Sequence, residues 1–566
     1  MSTETPRNPP AGFQQRLGLF DATMLVAGSM IGSGIFIVSA DIARDVGSSG
    51  WLLLVWILTG VMTIIGGLSY AELAAMMPRA GGQYVYLREA YSPLWGFLYG
   101  WTSFLVIQTG TIAAVGVAFG KFLGVLMPQL GTDAILFRLD NLNINVAVPV
   151  PWMEEPLTFF KRESFTISAG QIVAVNLVLL LTIWNCRGIR EGKWVQNIFT
   201  VAKTCALIAL IVLGLTVAAN SEAIEKNFSQ PWDGITETVR FQEVSKLMPW
   251  APLAVVMVLC GAMVGSLFSA DAWHNVTFTA GEVREPRRNL PRSLVLGTGL
   301  VIVLYLLANG AYLVALPLRG HTPVVTAIDQ RGVKDKLQPV NTVDELLLEL
   351  EREISRHPGD KKLDVMRERL ATAHSMNAFE RGIDHAKDDR VGTAVIERVS
   401  PQFGVPIMAI AIMISTFGCL NGLILMGPRL YYAMARDGLF FRPVGQLSPR
   451  NVPAIGLLLQ GFWSILLIFS GSYSELLDYV IFAALFFYML TVAGLFVLRR
   501  KMPDAERPYR AFGYPLVPAV YVCMCAVIML ALLFVKPVYS WPSFLIVLSG
   551  FPAYYFWRGT RRRDSE

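Results

Sequence analysis

The chain has 566 residues, 54% hydrophobic and 16% charged, with a formal net charge of +6 and a mean hydropathy of +0.49. A soluble protein of this size would carry about 25% charged residues, so the composition excludes a water-facing globule. No basic run interleaved with aromatics marks a nucleic-acid surface, and the six cysteines lie in or beside apolar runs, which excludes a disulfide framework.

Residues 1–16 are polar and Pro-rich, a cytoplasmic tail rather than a signal peptide. From Leu17 onward, apolar runs approach the roughly 20 residues that cross a bilayer as a helix. They predict about twelve spans, near 17–41, 51–77, 93–126, 168–186, 194–219, 250–281, 291–317, 402–436, 453–470, 474–498, 513–536 and 540–558. The fold class is an all-α polytopic membrane protein with its helical domain over 17–558. The connections after even-numbered spans are basic: "CRGIREGK", "GEVREPRRNLPR", "RRKMPDAERPYR" and a tail at 559–566. The connection after the first span, "DIARDVGSSG", holds one Arg against two Asp. Lys and Arg favour the cytoplasmic side, so both termini are expected there, in a cell membrane of bacterial type.

The first span contains "AGSMIGSGIF", Ala27 to Phe36. Each Gly costs about 1 kcal/mol relative to Ala in a helix interior. Non-helical backbone at membrane depth is tolerated only where it lines a protein cavity. Ile31 to Gly34 is therefore expected to unwind, and Gly28 to allow close packing. Unwinding frees N–H groups suited to a carboxylate and C=O groups suited to an ammonium, so one stretch can grip an amino acid zwitterion. "AGSMIGS" at 27–33 resembles "CGAMVGS" at 260–266 in the sixth span, as an internal repeat would. In the fifth span, "IFTVAKTCALIA" places Lys203 at mid-membrane, at a cost of about 2.5–3.5 kcal/mol. Residues 321–382 interrupt the apolar pattern. "NTVDELLLELEREISRH", with Thr342 and Glu345 as a capping box, and "DKKLDVMRERLATAH" read as an extracytoplasmic helical hairpin, a solvated decoration.

"GSMIGSGIF", "SYAELAAMMPRAGGQYVYLREAY", "GEVREPRRNLPRSL", "YYAMARDGLFFRPVGQLSPRNVPA" and "RRKMPDAERPYRAFGYPLVP" occur in this order over nearly the whole chain. Together they resemble the amino acid–polyamine–organocation superfamily, and within it the L-type amino acid transporters and their bacterial relatives. The resemblance implies two inverted five-helix repeats plus two trailing helices, the leucine-transporter-type fold. It implies that the amides of Gly32, Ser33 and Gly34 meet a substrate carboxylate, and that the carbonyl of Met30 faces the amine. The second unwound stretch falls on "FSADAWHN". There Phe268 becomes the aromatic lid, and its carbonyl and that of Asp271 complete the amine site. Asp271 and His274 stand where L-type relatives vary: Asp271 contacts a cationic side chain or caps a helix end, and His274 lines the pocket or packs as a core histidine. Relatives that work without sodium carry a lysine matching Lys203. Its ammonium replaces a sodium ion, with Ser415 and Thr416 as candidate partners, the alternative being a structural pair with Asp271.

The implied function is sodium-independent movement of L-amino acids, preferably neutral, by alternating access and exchange. No enzyme activity or cofactor is implied, and the partners are an amino acid substrate and membrane lipid. Cationic amino acids or polyamines are the alternative cargo, and a nutrient sensor the alternative role. A channel would need a polar stripe along several spans, and an enzyme clustered His, Asp or Cys at membrane depth; neither is present in the sequence. The loop 127–167 has no Cys, so no disulfide-linked ancillary subunit is expected.

Overall fold

In hydrocarbon, each backbone N–H and C=O must find a partner within its own segment, so apolar runs of bilayer length become helices. A computed structural model of the chain describes residues 13–148, 157–320, 377–470 and 473–563. The first span is two helices, α1 (Leu19–Met30) and α2 (Gly34–Val46), followed by α3 (Ser49–Met76) and the short α4 (Gln83–Ala90). Helices α5 (Pro93–Thr102) and α6 (Gln108–Leu126) join through a π-turn at Ser103–Ile107 to make the third span. After α7 (Ala169–Asn185) and α8 (Ile189–Leu215), the short α9 (Ser221–Phe228) and α10 (Val239–Leu247) lead to α11 (Ala251–Ser269), a 3-10 helix Trp273–Glu282 and α12 (Pro286–Ala315). The remainder is α13 (Ala378–Arg381), α14 (Val391–Val399), α15 (Gly404–Met426), α16 (Pro428–Arg436), α17 (Ala454–Ile468), α18 (Tyr473–Lys501), α19 (Leu516–Val535) and α20 (Pro537–Arg563). Among the described residues, nine helical stretches are long and apolar enough to cross a membrane, and α7 and α17 are shorter apolar helices. With α20 these correspond to the expected spans.

One element departs from an all-α chain. Strands β1 (Ile135–Val148) and β2 (Leu157–Ser168) form an antiparallel pair, with Leu139 opposite Phe165 and Val148 opposite Leu157. Leu142-Asn-Ile-Asn-Val-Ala-Val148 alternates large apolar with polar or small residues, the period of a half-covered strand. The helical hairpin expected within 321–382 falls mostly outside the described residues. Its flanks are adjacent: Ile383 N–H donates to the Pro317 carbonyl at 2.9 Å, Asp384 N–H to Leu318 at 3.1 Å, and Gly320 N–H to Asp384 Oδ1 at 3.1 Å.

Helix α1 runs against α8, α12 and α15, while α11 packs on α2, α3 and α19, so the first and sixth spans sit at the centre. Near the start of the first span, Arg16 and Leu17 N–H donate to the Glu282 carbonyl at 2.8 and 2.9 Å. The Glu282 carboxylate forms a two-pronged pair with Arg429 of α16, both contacts 3.1 Å, with both side chains buried.

Candidate functional site

Both central spans break. Helix α1 ends at Met30 and α2 begins at Gly34, leaving Ile31 to Ser33 non-helical. Helix α11 ends at Ser269, and Ala272 takes a left-handed conformation (φ 66°) before the 3-10 turn. A non-glycine residue there is strained and persists only where surrounding structure holds it. The sequence pairing of 27–33 with 260–266 would put the second break at 264–266, inside continuous α11, so those strings are not in structural register.

A broken helix must satisfy its freed carbonyls, and here side chains do so one by one. The Lys203 ammonium has three donors and three carbonyls: Gly28, Ile31 at 2.7 Å and Ser415 at 3.4 Å. Cys419 donates its thiol to Ser29 O at 3.0 Å. The Tyr305 hydroxyl lies 2.9 Å from Met30 O and 3.1 Å from Ser269 O, joining the two broken ends. The Ser415 hydroxyl is shared between Ile31 O at 3.2 Å and Gly32 O at 3.1 Å. Each free carbonyl from Gly28 to Gly32 therefore has a side-chain donor. The amide half differs: the N–H groups of Gly32 and Gly34 donate to no group among the described residues. They head α2, where the helix dipole favours negative charge.

Gly32 and Gly34 border a small cavity beside the break. Met30, Gly32, Ser33, Gly34, Phe268 and Asp271 line it, together with Ser29, Ser269, Ala272, Cys419, Thr111 and Val115. The last two lie on α6, just beyond the π-turn, a feature common at functional sites. Small residues keep the walls close. A Cβ on Gly34 would sit 2.9 Å from Ser269 Cβ and 3.1 Å from its Cα, and one on Gly32 would sit 3.3 Å from Cys419 Sγ. A Cβ on Gly28 would collide with Gln196 and Thr200 of α8, so that glycine allows close helix packing.

Of the expected substrate-binding residues, His274 alone lines neither this cavity nor its neighbour, and the expected cation-site residues Lys203, Ser415 and Thr416 lie outside both. It is 2% exposed, its Nδ1 2.9 Å from the Tyr488 hydroxyl and its Nε2 3.3 Å from that of Tyr99. The Phe268 carbonyl accepts the Asp271 N–H at 3.1 Å, within the end of its own helix. Lys203 and Ser415 meet the first span as expected, whereas the Thr416 hydroxyl turns back onto Ile412 and Met413 of α15, both at 3.0 Å. Among the described residues, Lys203 pairs with no carboxylate, so a bond to Asp271 is not its role here. Tyr305 and Cys419 are additions to the site. Tyr305, Asn309 and Tyr312, at i, i+4 and i+7 of α12, form one polar face against the first span. The Tyr312 hydroxyl donates to Ile35 O at 3.1 Å, and Asn309 Oδ1 accepts from Ser39 at 2.7 Å.

Two adjacent central spans, both broken beside a shared cavity within a bundle of bilayer-length helices, define a polytopic secondary transporter. The chain belongs to the amino acid permease family, whose model matches residues 17–323 and 382–555. It is similar to the large neutral amino acids transporter small subunit 2 of Homo sapiens, 28% identical over 98% of this chain and 83% of that protein. It also resembles the b(0,+)-type amino acid transporter 1 of Mus musculus, 25% identical over 98% of this chain and 90% of that one.

Proposed function

We propose that this permease moves L-amino acids, neutral ones by preference, across a cell membrane without sodium and by exchange. The observation that carries the reading is the asymmetry of the first-span break. Its carbonyls are all engaged, four of the bonds coming from the fixed cation of Lys203 and the Ser415 hydroxyl, while the Gly32 and Gly34 amides donate to no group among the described residues. A covalently attached ammonium between the first and eighth spans does the joining work of a bound metal cation, so no ion gradient is needed to assemble the site. The open amides suit a carboxylate, and the Met30 carbonyl, which accepts from the Tyr305 hydroxyl, has a second lone pair for an ammonium. An apolar lining around Phe268 and Val115 favours a neutral side chain. The names of the similar proteins, one a transporter of large neutral amino acids, point the same way.

Asp271 supports a second cargo. A cavity-lining carboxyl to which, among the described residues, no basic side chain is bonded would suit the side chain of a cationic amino acid. The test is a panel of radiolabelled amino acids offered to proteoliposomes, with and without internal amino acid. Neutral substrates are expected to enter only loaded vesicles at a high rate. Lysine or arginine outcompeting leucine and alanine would reverse the preference, and loss of only those substrates in Asp271→Asn would assign the side-chain role. The orientation proposed puts both termini in the cytoplasm, and no covalent partner chain is required.

A further inference from the structure

Asp271 is the wall shared by two cavities. On one side is the space at the first-span break; on the other is a second small cavity behind the sixth span, bordered by Thr63, Trp273, Tyr488 and Tyr521. The residue is 6% exposed, and among the described residues no Lys, Arg or His forms an ion pair with it. An ionised carboxylate in such surroundings is expensive, and the usual resolution is to take up a proton or a pairing cation.

Its side-chain partner, Tyr488, begins a chain of hydrogen bonds. The Tyr488 hydroxyl bonds Asp271 Oδ1 and lies 2.9 Å from His274 Nδ1; His274 Nε2 lies 3.3 Å from the Tyr99 hydroxyl. Beyond Tyr99 lies the buried Ser103 hydroxyl, within hydrogen-bond reach of Tyr99 and of Tyr431. This chain has two self-consistent polarities. With Asp271 ionised, Tyr99 O–H donates to Nε2, Nδ1–H to Tyr488, and Tyr488 O–H to the carboxylate. With Asp271 protonated, its new O–H donates to Tyr488, Tyr488 O–H to Nδ1, and Nε2–H to Tyr99, which turns its own proton toward Ser103. The second arrangement holds one more proton than the first, and the imidazole stays neutral in both, exchanging one tautomer for the other.

We propose that Asp271 is a proton-binding site of the transport cycle and that Tyr488, His274 and Tyr99 are positioning residues whose hydrogen bonds reverse with its charge. The proposal rests on the transport reading above. A proton taken up at the Ser103 end forms a new O–H bond on Tyr99 while Tyr99 passes its own proton to Nε2, Nδ1–H passes to Tyr488 and Tyr488 O–H to the carboxyl, so each bond broken is matched by one formed and the carboxyl becomes neutral; the reverse relay releases the proton when the site opens to the other side. Other titratable groups face Asp271: Tyr99 of α5, Tyr521 of α19, and Cys419 of α15 with Lys203 behind it, while Tyr70 of α3 and Cys525 of α19 lie one step further out, against Tyr488 and Tyr521. Lys203 is held by three carbonyls, and the tyrosines and thiols are neutral near pH 7.

The experiment is leucine exchange in proteoliposomes at equal internal and external pH from about 5 to 9, paired with infrared titration of the purified protein. Wild-type exchange is expected to fall by up to about tenfold per pH unit above the carboxyl's pKa. Asp271→Asn, which mimics the protonated form, should be flat. Tyr488→Phe removes the donor to the carboxylate and interrupts the relay, so exchange should slow and the midpoint of the infrared titration should move, which a purely structural role would not do. The infrared C=O band of a protonated carboxylic acid should vanish with rising pH and be missing from Asp271→Asn, a readout that survives if that variant does not transport. Flat wild-type exchange, the same slope in Asp271→Asn, or no titrating band assigned to Asp271 would overturn the proton site. Absence of exchange by the wild type at every pH would instead contradict the transport reading, leaving the infrared titration to decide the proton site.

Discussion

Lys203 stands where a membrane helix can least accommodate a charge, and the break in its neighbour explains how it is kept. Fully buried, it spends each N–H on a carbonyl of the first or eighth span. Lys203→Met preserves length and removes the charge. The Gly28 carbonyl would then have no donor, at about 1–3 kcal/mol for such a group, whereas Ile31 keeps Ser415. Exchange should be strongly reduced in a variant that still inserts; near-normal turnover would mean the ammonium does not hold the break in place. Gly34 is the complementary residue. A leucine there would drive into Ser269 and cover the open amides, so Gly34→Leu should lose substrate binding, measured by scintillation proximity, while purifying as a monodisperse protein. Retained binding would count against the amide site. Tyr305→Phe removes one hydroxyl from the two broken ends together. Weaker substrate affinity with unaltered expression is expected, and unchanged affinity would reduce Tyr305 to packing.

At the scale of elements, the flanks of the 321–382 insert meet without it. Pro317 and Leu318 bond Ile383 and Asp384 directly, so a short Gly/Ser linker in place of the insert should leave exchange intact. Lost exchange with normal membrane insertion would make the insert a lid or a partner site. The buried pair of Glu282 and Arg429 ties the end of the sixth span to α16. Removing one partner of such a pair leaves a buried charge and costs about 3–5 kcal/mol. Arg429→Met should therefore lower the melting temperature sharply, and Glu282→Gln combined with Arg429→Met should restore part of it. The spans were legible because hydrocarbon length and Lys/Arg placement are strong constraints on a one-dimensional pattern. The first break was legible in Ile31-Gly-Ser-Gly34, where propensity and position conflict. The partners of the break were less so. Lys203 announced itself by its cost, but Tyr305 and Cys419 look like ordinary members of apolar helices until the fold brings them to Met30 and Ser29. Tyr305, Asn309 and Tyr312 did carry a signal, a polar stripe at helical spacing. The β1–β2 hairpin also had one, in the alternation at 142–148. His274 illustrates the limit: its type and depth suggest a pocket residue, yet its place between Tyr99 and Tyr488 depends on three helices whose mutual arrangement no local pattern encodes.

For the whole molecule, the account is that a fixed cation replaces a mobile one. The carbonyl end of the first break is assembled by the protein itself, so the substrate has only to engage the open amides and complete the cavity. Exchange then follows if the empty site changes sides slowly and the loaded site quickly. The most direct measurement is uptake of radiolabelled leucine into leucine-loaded and empty proteoliposomes, with either sodium or choline as the external cation. The account predicts rapid uptake only into loaded vesicles, at the same rate in both cations. Uptake that rises steeply with an inward sodium gradient would contradict it.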